Sequence, residues 1–535
     1  MGNRSNSVDN RAASDLPLYN VKSFGATGKK DDNAQKAIQK AVDACAATNG
    51  GLVYFPPGDY PSGKICLCRN VRLHLEAGSR VYALKDEVKT GDESELKDAL
   101  IFGEHLENVT IEGRGTLDGQ AEYVWRLDDF EDDFIRPNKE LMLSLGKPVL
   151  RSFPKDMYGR KKLILLLNCK NVGISGISLV NSPSWTLNLY GCERTVIDGV
   201  YIYSSLKEGV WADGIDPDGC KDLRIANCTV ETGDDALVFY SMNWFGPALP
   251  CENITVTNCR FTSASSAIKF CDGNMNCIRN VTIDNCVIVG ANRGIAFMNF
   301  DGGYVSDVVL SNLVVDCTRH DWFWWGDGDP IHFNIKRRSE VHRSVKPGTD
   351  APAGVIRRVH IKNVIARGKG SSICNGHPDS WLEDVTIENM KLYISSDPKA
   401  PYDKAVHCLQ FQWAKNLKLK DVEVFWCEPE SSTWESALFL KNIKGLVLEG
   451  FKGRQAKLGV EAPAVRLEQV EDAVIRGCVA PQGTTTFLQI GGDKTRDILL
   501  MGNDFHHAKA PFKLEENVKK DSVREVFNVR RIEGQ

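Results

Sequence analysis

Three aspartates with the spacing of a catalytic group lie near the middle of the chain. Asp213 is followed by a glycine, and Asp234 and Asp235 come 21 and 22 residues later, directly after a second glycine. Carboxylates held within a few ångströms repel one another, so at least one keeps a proton at a raised pKa. A protonated acid beside an ionised base is the pair that hydrolyses a glycosidic bond. The alternative is a ladder of aspartates that accept hydrogen bonds from turn amides, the role we expect for Asp216 and Asp218.

A repeat that runs through most of the chain is expected to stack these turns. Its unit is an asparagine or aspartate followed by alternating apolar residues, as at residues 108–111, 171–174, 222–225, 280–283 and 497–500. It returns roughly every 25–30 residues, a period typical of solenoids. The unit contains no helical pattern, which excludes crossover helices between parallel strands. A β-propeller or a stack of sandwiches is the alternative, but a propeller blade needs about 40 residues.

Strands of this length can coil, each pairing with the next about 4.8 Å away. The repeat therefore predicts an all-β fold, a single-stranded right-handed parallel β-helix (a solenoid) over residues 18–535. Residues 1–17 are expected to form a disordered or linker-like tail. Apolar residues at i, i+3, i+4 spacing predict a helix over about residues 33–47, which suits a cap on the open end of the sheet.

Two long insertions interrupt the repeat, at about residues 122–161 and 319–354. Insertions in a solenoid bulge from one side, so we expect these two to form walls of a binding cleft. The second contains Trp322, Trp324 and Trp325, with aspartates close behind. Aromatic faces flanked by carboxylates suit sugar rings. A packed loop without a ligand is the alternative.

Composition excludes several classes of function. Hydrophobic residues make up 42% and charged residues 25% of the chain, and the formal net charge is −4. This balance gives no general attraction to nucleic acid or to an anionic membrane, and neither is expected as a partner. No apolar run is long enough for a membrane span. No nucleotide-binding glycine fingerprint opens a helix, so no cofactor is expected.

The cellular location stays open at this point. The first residues are polar and lack the apolar core of a secretory signal. The protein is expected to be secreted or periplasmic if a leader has been removed, and cytoplasmic otherwise. The oligomeric state is equally unspecified.

The cysteines are expected to be buried free thiols. There are 17 of them, an odd number, and none form a CxxC pair. Several follow an asparagine at the same place in the repeat, at Cys169, Cys228, Cys259 and Cys286. A small apolar side chain at a repeated corner explains this better than a disulfide framework.

The residues around the aspartates resemble a known family. Asp213-Gly214-Ile215-Asp216-Pro217, Asn227-Cys228 and Thr232-Gly233-Asp234-Asp235 together are similar to the signature of glycoside hydrolase family 28, the polygalacturonase-like enzymes. The resemblance extends to residues 19–26, 113–119 and 181–185 and spans roughly residues 19–395. It implies a right-handed parallel β-helix, inversion of configuration and no metal. It also implies that Asp234 is the general acid, and that Asp213 and Asp235 position and deprotonate the water.

The chain departs from the family at the positions that bind the sugar. Residues 264–266 carry no histidine where the family has one, and residues 296–298 replace an arginine-x-lysine pair that holds the galacturonate carboxylate. Tyr240 stands where a lysine is often found. A buried carboxylate needs a charged partner. Lys269 and Arg293, on nearby turns, are the candidates to replace the missing cations, and the alternative for either is a surface cation. Trp211 and Tyr240 are expected to contact the substrate.

The leading hypothesis is an inverting glycosidase that acts on a pectic or related plant or algal polysaccharide or oligosaccharide, possibly other than homogalacturonan. Bulky Trp211 and the insertions would narrow an open groove, which favours exo-acting or side-chain cleavage. One alternative is a polysaccharide lyase on the same fold, which needs a base at C5 and a cation for the uronate. Another is a carbohydrate-binding β-helix without catalytic activity.

Overall fold

The computed structural model describes residues 16–84, 96–128, 136–154, 161–321, 324–342, 344–398 and 405–531. Over these ranges 37 strands form one sheet that coils along the chain, with parallel pairing from each coil to the next, and two further pairs of strands form small sheets of their own. The prediction of an all-β parallel β-helix is confirmed. Among the helices of these ranges, none is long and apolar enough to cross a membrane.

The N-terminal coils contain two helices, α1 (Gln35–Ala47) and α2 (Arg136–Ser144). Their strands are β1 (Leu18–Asn20), β2 (Gly51–Phe55), β3 (Gly58–Ser62), β4 (Ile65–Cys66), β5 (Val71–Leu75), β6 (Ser79–Ala83), β7 (Ala99–Glu104), β8 (Glu107–Gly113), β9 (Thr116–Asp118), β10 (Trp125–Asp128) and β11 (Arg151–Pro154).

The central coils contain the longest series of short strands. They are β12 (Lys162–Leu167), β13 (Lys170–Ser175), β14 (Ser178–Val180), β15 (Leu187–Tyr190), β16 (Glu193–Asp198), β17 (Tyr201–Tyr203), β18 (Ile215–Asp218), β19 (Lys221–Ala226), β20 (Thr229–Thr232), β21 (Leu237–Ser241), β22 (Cys251–Thr257), β23 (Arg260–Ser263), β24 (Ser266–Asn274), β25 (Cys277–Asp284), β26 (Val287–Ala291), β27 (Arg293–Asn299), β28 (Tyr304–Cys317) and β29 (Asp329–Ile335).

Longer strands build the C-terminal coils. They are β30 (Val355–Gly368), β31 (Ser372–Asn375), β32 (Leu382–Ile394), β33 (Leu409–Trp426), β34 (Leu438–Glu449), β35 (Pro463–Arg476), β36 (Thr486–Gly491), β37 (Arg496–Met501), β38 (Asp504–Phe505), β39 (Ala510–Leu514), β40 (Val523–Val526) and β41 (Val529–Arg530).

Helix α1 begins at Gln35, two residues later than the pattern predicts, and ends at Ala47. The side chain of Asn33 accepts a hydrogen bond from the amide of Gln35 at 3.0 Å. The predicted apolar face, which includes Ile38 and Val42, is buried against the first coils. The helix therefore covers apolar residues at the N-terminal end of the solenoid.

The core runs along the inside of the coil. Leu187, Ile215, Leu237, Ile268 and Ile295 follow one another as register partners in consecutive coils, and all are fully buried. Because side chains alternate across a strand, this register turns one set of residues inward and leaves the next set on the outer face.

A stack of phenylalanines lies next to this column. The ring centroids of Phe239 and Phe270 are 5.0 Å apart, those of Phe270 and Phe297 are 4.3 Å apart, and those of Phe297 and Phe333 are 4.4 Å apart. Close-packed aromatic rings of this size give the central coils a rigid interior.

The polar residue that opens each repeat has a structural explanation. Asn108, Asn171, Asp222, Asn253 and Asn280 all have left-handed backbone, with φ between 54° and 60°. Among residues with a side chain, asparagine and aspartate tolerate this conformation best. Their side chains also bond from coil to coil, for example from Asn253 to Asp222 at 2.9 Å and from Asn280 to Asn253 at 3.0 Å.

All 17 cysteines are free thiols, and all but three of them are buried. The prediction of buried free thiols is confirmed. The three exceptions are Cys66, which is exposed, and Cys68 and Cys427, which are half-buried.

The two insertions have some regular structure of their own. In the first, β10 and β11 form an antiparallel pair, and the indole of Trp125 donates to the carbonyl of Pro183 at 3.4 Å. Trp125 also packs near Ala212, next to Asp213. In the second, Trp324 and Trp325 are described, whereas the predicted Trp322 lies outside the described residues.

The ladder predicts different outcomes for two substitutions of Asn253. Asn253→Ala removes two coil-to-coil hydrogen bonds, about 1 kcal/mol in all, and adds left-handed strain of about 1 kcal/mol or more. Asn253→Gly removes the same bonds without the strain. We expect the alanine variant to lower the thermal midpoint further than the glycine variant, measured by calorimetry. Equal midpoints would contradict the role of the backbone conformation.

Candidate active site

The three aspartates meet where two neighbouring strands begin. Asp213 lies two residues before β18, and Asp234 and Asp235 lie just before β21. Ile215 is the register partner of Leu237, which places Asp213 level with Asp235. One oxygen from each of the three carboxylates lies within 4.8 Å of the other two. The structure therefore brings the three predicted residues together, one coil apart.

The surroundings of Asp234 make its carboxyl group a weaker acid than an ordinary aspartate. One of its oxygens accepts a hydrogen bond from the amide of Asp235 at 2.9 Å, and the other accepts from the amide of Trp211 at 3.1 Å. Burial, together with the charge of Asp235, raises the pKa of Asp234 to about 7, although Lys269 and the two amides oppose the shift. Burial and the neighbouring Asp234 also raise the pKa of Asp213 well above its usual range.

Asp235 has the opposite surroundings. One oxygen accepts from the hydroxyl of Ser265 at 2.9 Å and from the amide of Ser266 at 3.0 Å. The other oxygen accepts from the ammonium of Lys269 at 2.7 Å. Three donors, one of them charged, therefore surround this carboxyl group. The site thus places two adjacent aspartates in different surroundings, one with amide donors alone and one with a hydroxyl, an amide and an ammonium.

Lys269 does not present an unengaged charge to the cavity. Besides Asp235, its ammonium contacts the carboxylate of Asp272 at 3.5 Å. Burial lowers the pKa of the lysine, but the neighbouring carboxylates outweigh burial and raise it overall. Its first role in this structure is to support Asp235.

Arg293 is less engaged than Lys269. Its Nε lies 3.4 Å from the carboxylate of Asp329, without the geometry of a hydrogen bond. Its Nη1 approaches the sulfur of Met298 at 3.7 Å. The side chain lines the cavity and is 14% exposed. Of the two predicted cations, Arg293 is therefore the one suited to hold an anionic group of a ligand.

Tyr240 and Trp211 both line the cavity, as predicted for residues that contact a substrate. Tyr240 packs against Trp244 with ring centroids 5.0 Å apart, and against Trp185 at 6.1 Å. Trp211 packs in a separate apolar cluster that includes Trp325 from the second insertion. The two residues are thus held by different aromatic groups.

The cavity that contains the three aspartates has a volume of about 410 Å³. Acidic, basic and aromatic side chains all line it. It is lined by Trp185, Trp211, Asp213, Asp234, Asp235, Tyr240, Met242, Trp244, Ser265, Lys269, Asp272, Gly273, Arg293, Met298, Trp325, Arg338 and His342.

Three charged or titratable lining residues have no counterpart among the sequence predictions. Asp272 lies at an irregularity of β24, where no repeat pattern singles it out. Arg338 and His342 lie in the second insertion. The sequence predicts that this insertion forms a wall of the cleft, but no pattern in it marks these two residues. The nitrogens of these two side chains are 3.2 Å apart.

The expectation for Asp216 is wrong. This residue lies within β18, fully buried, and neither carboxylate oxygen has a hydrogen-bond partner. Burial and the charge of Asp235 raise the pKa of Asp216 well above its usual range. Asp218 does accept a hydrogen bond from a backbone amide, that of Met242, at 2.9 Å. The other oxygen of Asp218 has no partner, and burial raises the pKa of this residue to about 7. Asp218 thus fits the expectation through one hydrogen bond, whereas Asp216 is a buried acid whose carboxylate has none.

The raised pKa of Asp216 predicts a pH-dependent effect of Asp216→Asn. The unfolded chain ionises this residue above about pH 4, whereas the folded protein keeps it protonated to a higher pH. The wild type therefore loses stability as pH rises through this window. We expect the variant to have a thermal midpoint about 1–2 °C above the wild type at pH 7, and a smaller gain at pH 4.

The matched control is Asp222→Asn, because Asp222 lies in the same coil on the outside and many equivalent positions carry asparagine. It should shift the midpoint equally at both pH values. A loss of stability of Asp216→Asn at pH 7 would show instead that the ionised carboxylate is stabilised.

Comparison with known families identifies two matching segments. A sequence model described as glycosyl hydrolases family 28 matches residues 152–317, which contain all three aspartates. A second, described as rhamnogalacturonase A/epimerase, pectate lyase-like, matches residues 18–74. A curated relative, a probable polygalacturonase of Vitis vinifera, is 27% identical over 266 residues, which cover 46% of this chain and 49% of that protein. The chain spans about half the length of the curated relatives it matches.

Two solved structures have a similar fold. The exopolygalacturonase from Thermotoga maritima aligns with a TM-score of 0.58 at 22% identity, over 77% of this chain and 93% of that one. The family 28 exopolygalacturonase of Yersinia enterocolitica aligns with a TM-score of 0.61 at 18% identity, over 81% of this chain and 78% of that one. At these identities the likeness concerns the fold, and it confirms the predicted right-handed parallel β-helix.

Proposed function

Because the chain belongs to glycoside hydrolase family 28, we propose that it hydrolyses a glycosidic bond in a pectic or related polysaccharide or oligosaccharide. The observation that carries this proposal is the pair of opposite environments at Asp234 and Asp235. One carboxyl group has its pKa raised to about 7, and its neighbour is surrounded by three donors.

The three carboxylates divide two roles between them in the proposed reaction, that of the acid and that of the base. Asp234, in its protonated form, donates a proton to the leaving oxygen. Asp235 and Asp213 hold a water molecule and remove its proton as it attacks the anomeric carbon. Acid and base catalysis of this kind contribute about 10²–10⁴-fold each.

We propose inversion of configuration from the resemblance to the family. The carboxylates are closer together than the roughly 6.5–9.5 Å separation usual for inverting enzymes, since their oxygens lie within 4.8 Å of one another. The attacking water must then lie over the pair formed by Asp213 and Asp235, not in a gap between acid and base. The spacing alone does not select inversion, so the configuration of the product is part of the test.

The shape of the cavity supports exo-acting or side-chain cleavage. Trp185, Tyr240 and Trp244 form one aromatic group, and Trp211 and Trp325 belong to another. Both groups line the same cavity of about 410 Å³. A cavity of this volume with two groups of bulky aromatic side chains in its lining suits a chain end or a branch better than the middle of a long polymer.

Arg293 supports the proposal of an acidic sugar in the substrate. Its guanidinium lines the cavity and its closest carboxylate contact, to Asp329, is 3.4 Å long. A planar guanidinium matches the geometry of a uronate carboxylate. Lys269, in contrast, contributes through Asp235.

Asp234→Asn tests the proposed acid. The amide keeps the size of the side chain but cannot donate the proton, so we expect kcat to fall by about 10²-fold or more while oligosaccharide binding is retained. Turnover is measured as reducing-end release from polygalacturonate, rhamnogalacturonan and neutral glycan oligosaccharides, with products resolved by mass.

Asp222→Asn serves as the control with the same chemical change outside the cavity, and it should keep wild-type turnover. Undiminished turnover by Asp234→Asn would contradict the assignment. An unsaturated product that absorbs in the ultraviolet would identify a lyase, and binding without any turnover by the wild type would identify a binding module.

The first products report the mode of cleavage and the stereochemistry. We expect mono- or disaccharides from the first minutes of reaction, with little change in polymer viscosity, because the aromatic walls restrict access. The first-formed sugar should have the anomeric configuration opposite to that of the substrate, as followed by proton NMR. Early products of mixed length would contradict exo action, and retained configuration would contradict inversion.

A further inference from the structure

Asp272 is carried into the cavity by an irregularity of the sheet. Phe239 pairs with Phe270, but Ser241 pairs with Asn274. Two residues advance on β21 while four advance on β24, so two extra residues bulge from β24 at this point. Bulges beside active sites commonly re-aim a side chain. Here the bulged segment includes Asp272, which lines the cavity.

The carboxylate of Asp272 lies between two cations. It is 3.5 Å from the ammonium of Lys269 and 3.4 Å from the guanidinium of Arg338. Arg338 also donates to the backbone carbonyl of Asp272 at 2.7 Å. The two cations lower the pKa of Asp272 even though burial opposes this, so the group is ionised at neutral pH. Its side chain is 27% exposed, within reach of a ligand in the cavity.

Both cations are already engaged by carboxylates of the protein. Lys269 pairs with Asp235 as well as with Asp272. Arg338 pairs with Asp301, with its Nε donating to one oxygen of that residue at 3.0 Å. A sugar carboxylate placed here would face the negative charge of Asp272, and it would have to compete with Asp272 and Asp301 for these cations.

We propose that Asp272 is a specificity-determining residue, which makes this part of the cavity accept an uncharged sugar residue and reject a uronate. The inference rests on the proposed function, since it takes the cavity to be the place where a glycan binds. An uncharged sugar has hydroxyl groups that donate to Asp272, and their oxygens accept from Lys269 and Arg338. With Arg293 available for a carboxylate elsewhere in the cavity, the substrate class is a pectic glycan that carries an uncharged residue next to a uronate.

Matched ligands isolate the charge of the sugar. Digalacturonate and the same disaccharide with a methyl ester on one of its two rings differ by one charge, while the rings and their hydroxyls are the same and the ester keeps one carboxylate for Arg293. Dissociation constants are measured by calorimetry for both, at pH 7, in a background of Asp234→Asn, so that turnover does not interfere. We expect the ester to bind more tightly than the acid, and Asp272→Asn to reduce this preference by about tenfold or more.

Asp222→Asn is the matched control, because it makes the same chemical change at a residue that bonds to Asn253, pairs with neither cation and does not line the cavity. It should leave the ratio of the two dissociation constants unchanged. Arg338→Met gives a second test with the opposite sign, since it removes a cation that offsets Asp272, and it should increase the preference for the ester. This variant decides the matter if the thermal midpoint shows that Asp272→Asn does not fold.

Equal binding of ester and acid in the Asp234→Asn background would overturn the inference, and so would the absence of binding of either ligand. A ratio that neither Asp272→Asn nor Arg338→Met changes would overturn it as well. Failure of the proposed function is seen separately, in the turnover of these ligands by the wild type. If the protein binds the ester in preference to the acid but the wild type turns over neither, the proposed hydrolase activity is excluded and the proposed role of Asp272 stands.

Discussion

The parallel register of the solenoid is the constraint on which the site depends. Because Ile215 pairs with Leu237, Asp213 and Asp235 cannot move apart without breaking the ladder that holds both coils. The stacked phenylalanines of the core, Phe239 and Phe270 among them, resist any such movement. Carboxylates that repel one another are therefore kept together by the same pairing that builds the fold.

The charges around this group are arranged in alternation. Asp235 pairs with Lys269, Lys269 with Asp272, Asp272 with Arg338, and Arg338 with Asp301. The series begins at the proposed base and passes through Arg338 of the second insertion to Asp301. Asp235 is bonded to the first cation of the series, whereas Asp234 accepts from two backbone amides and is buried with its pKa raised to about 7. Two adjacent residues thus have different surroundings, and such a difference is how one site can supply both an acid and a base.

Much of the fold follows from local patterns. The period of the repeat, the alternation of inward and outward residues, and the buried thiols such as Cys169 are all nearest-neighbour properties of stacked coils. The asparagine that opens each repeat is explained in the same way, since Asn253 needs only its own backbone and one neighbouring coil. The approach of Asp213 to Asp234 and Asp235 was predictable for this reason. The expected hydrogen bonds of Asp216 were wrong because a position in a motif does not reveal whether a hydrogen-bond donor faces the side chain.

The coil, the stacking of the three aspartates and the family resemblance can be predicted without a structure, because they depend on spacing along the chain. Which charges pair becomes apparent only in the folded molecule. Asp272 and Arg338 are 66 residues apart in the sequence. They meet because Asp272 lies in a bulge of β24 and Arg338 lies in the second insertion. Coulomb interactions depend on the distance between side chains in space, and insertions and bulges set that distance without leaving a periodic mark in the sequence. Spacing along the chain therefore predicts the reaction centre, but it does not predict the charged side chains that would select the sugar.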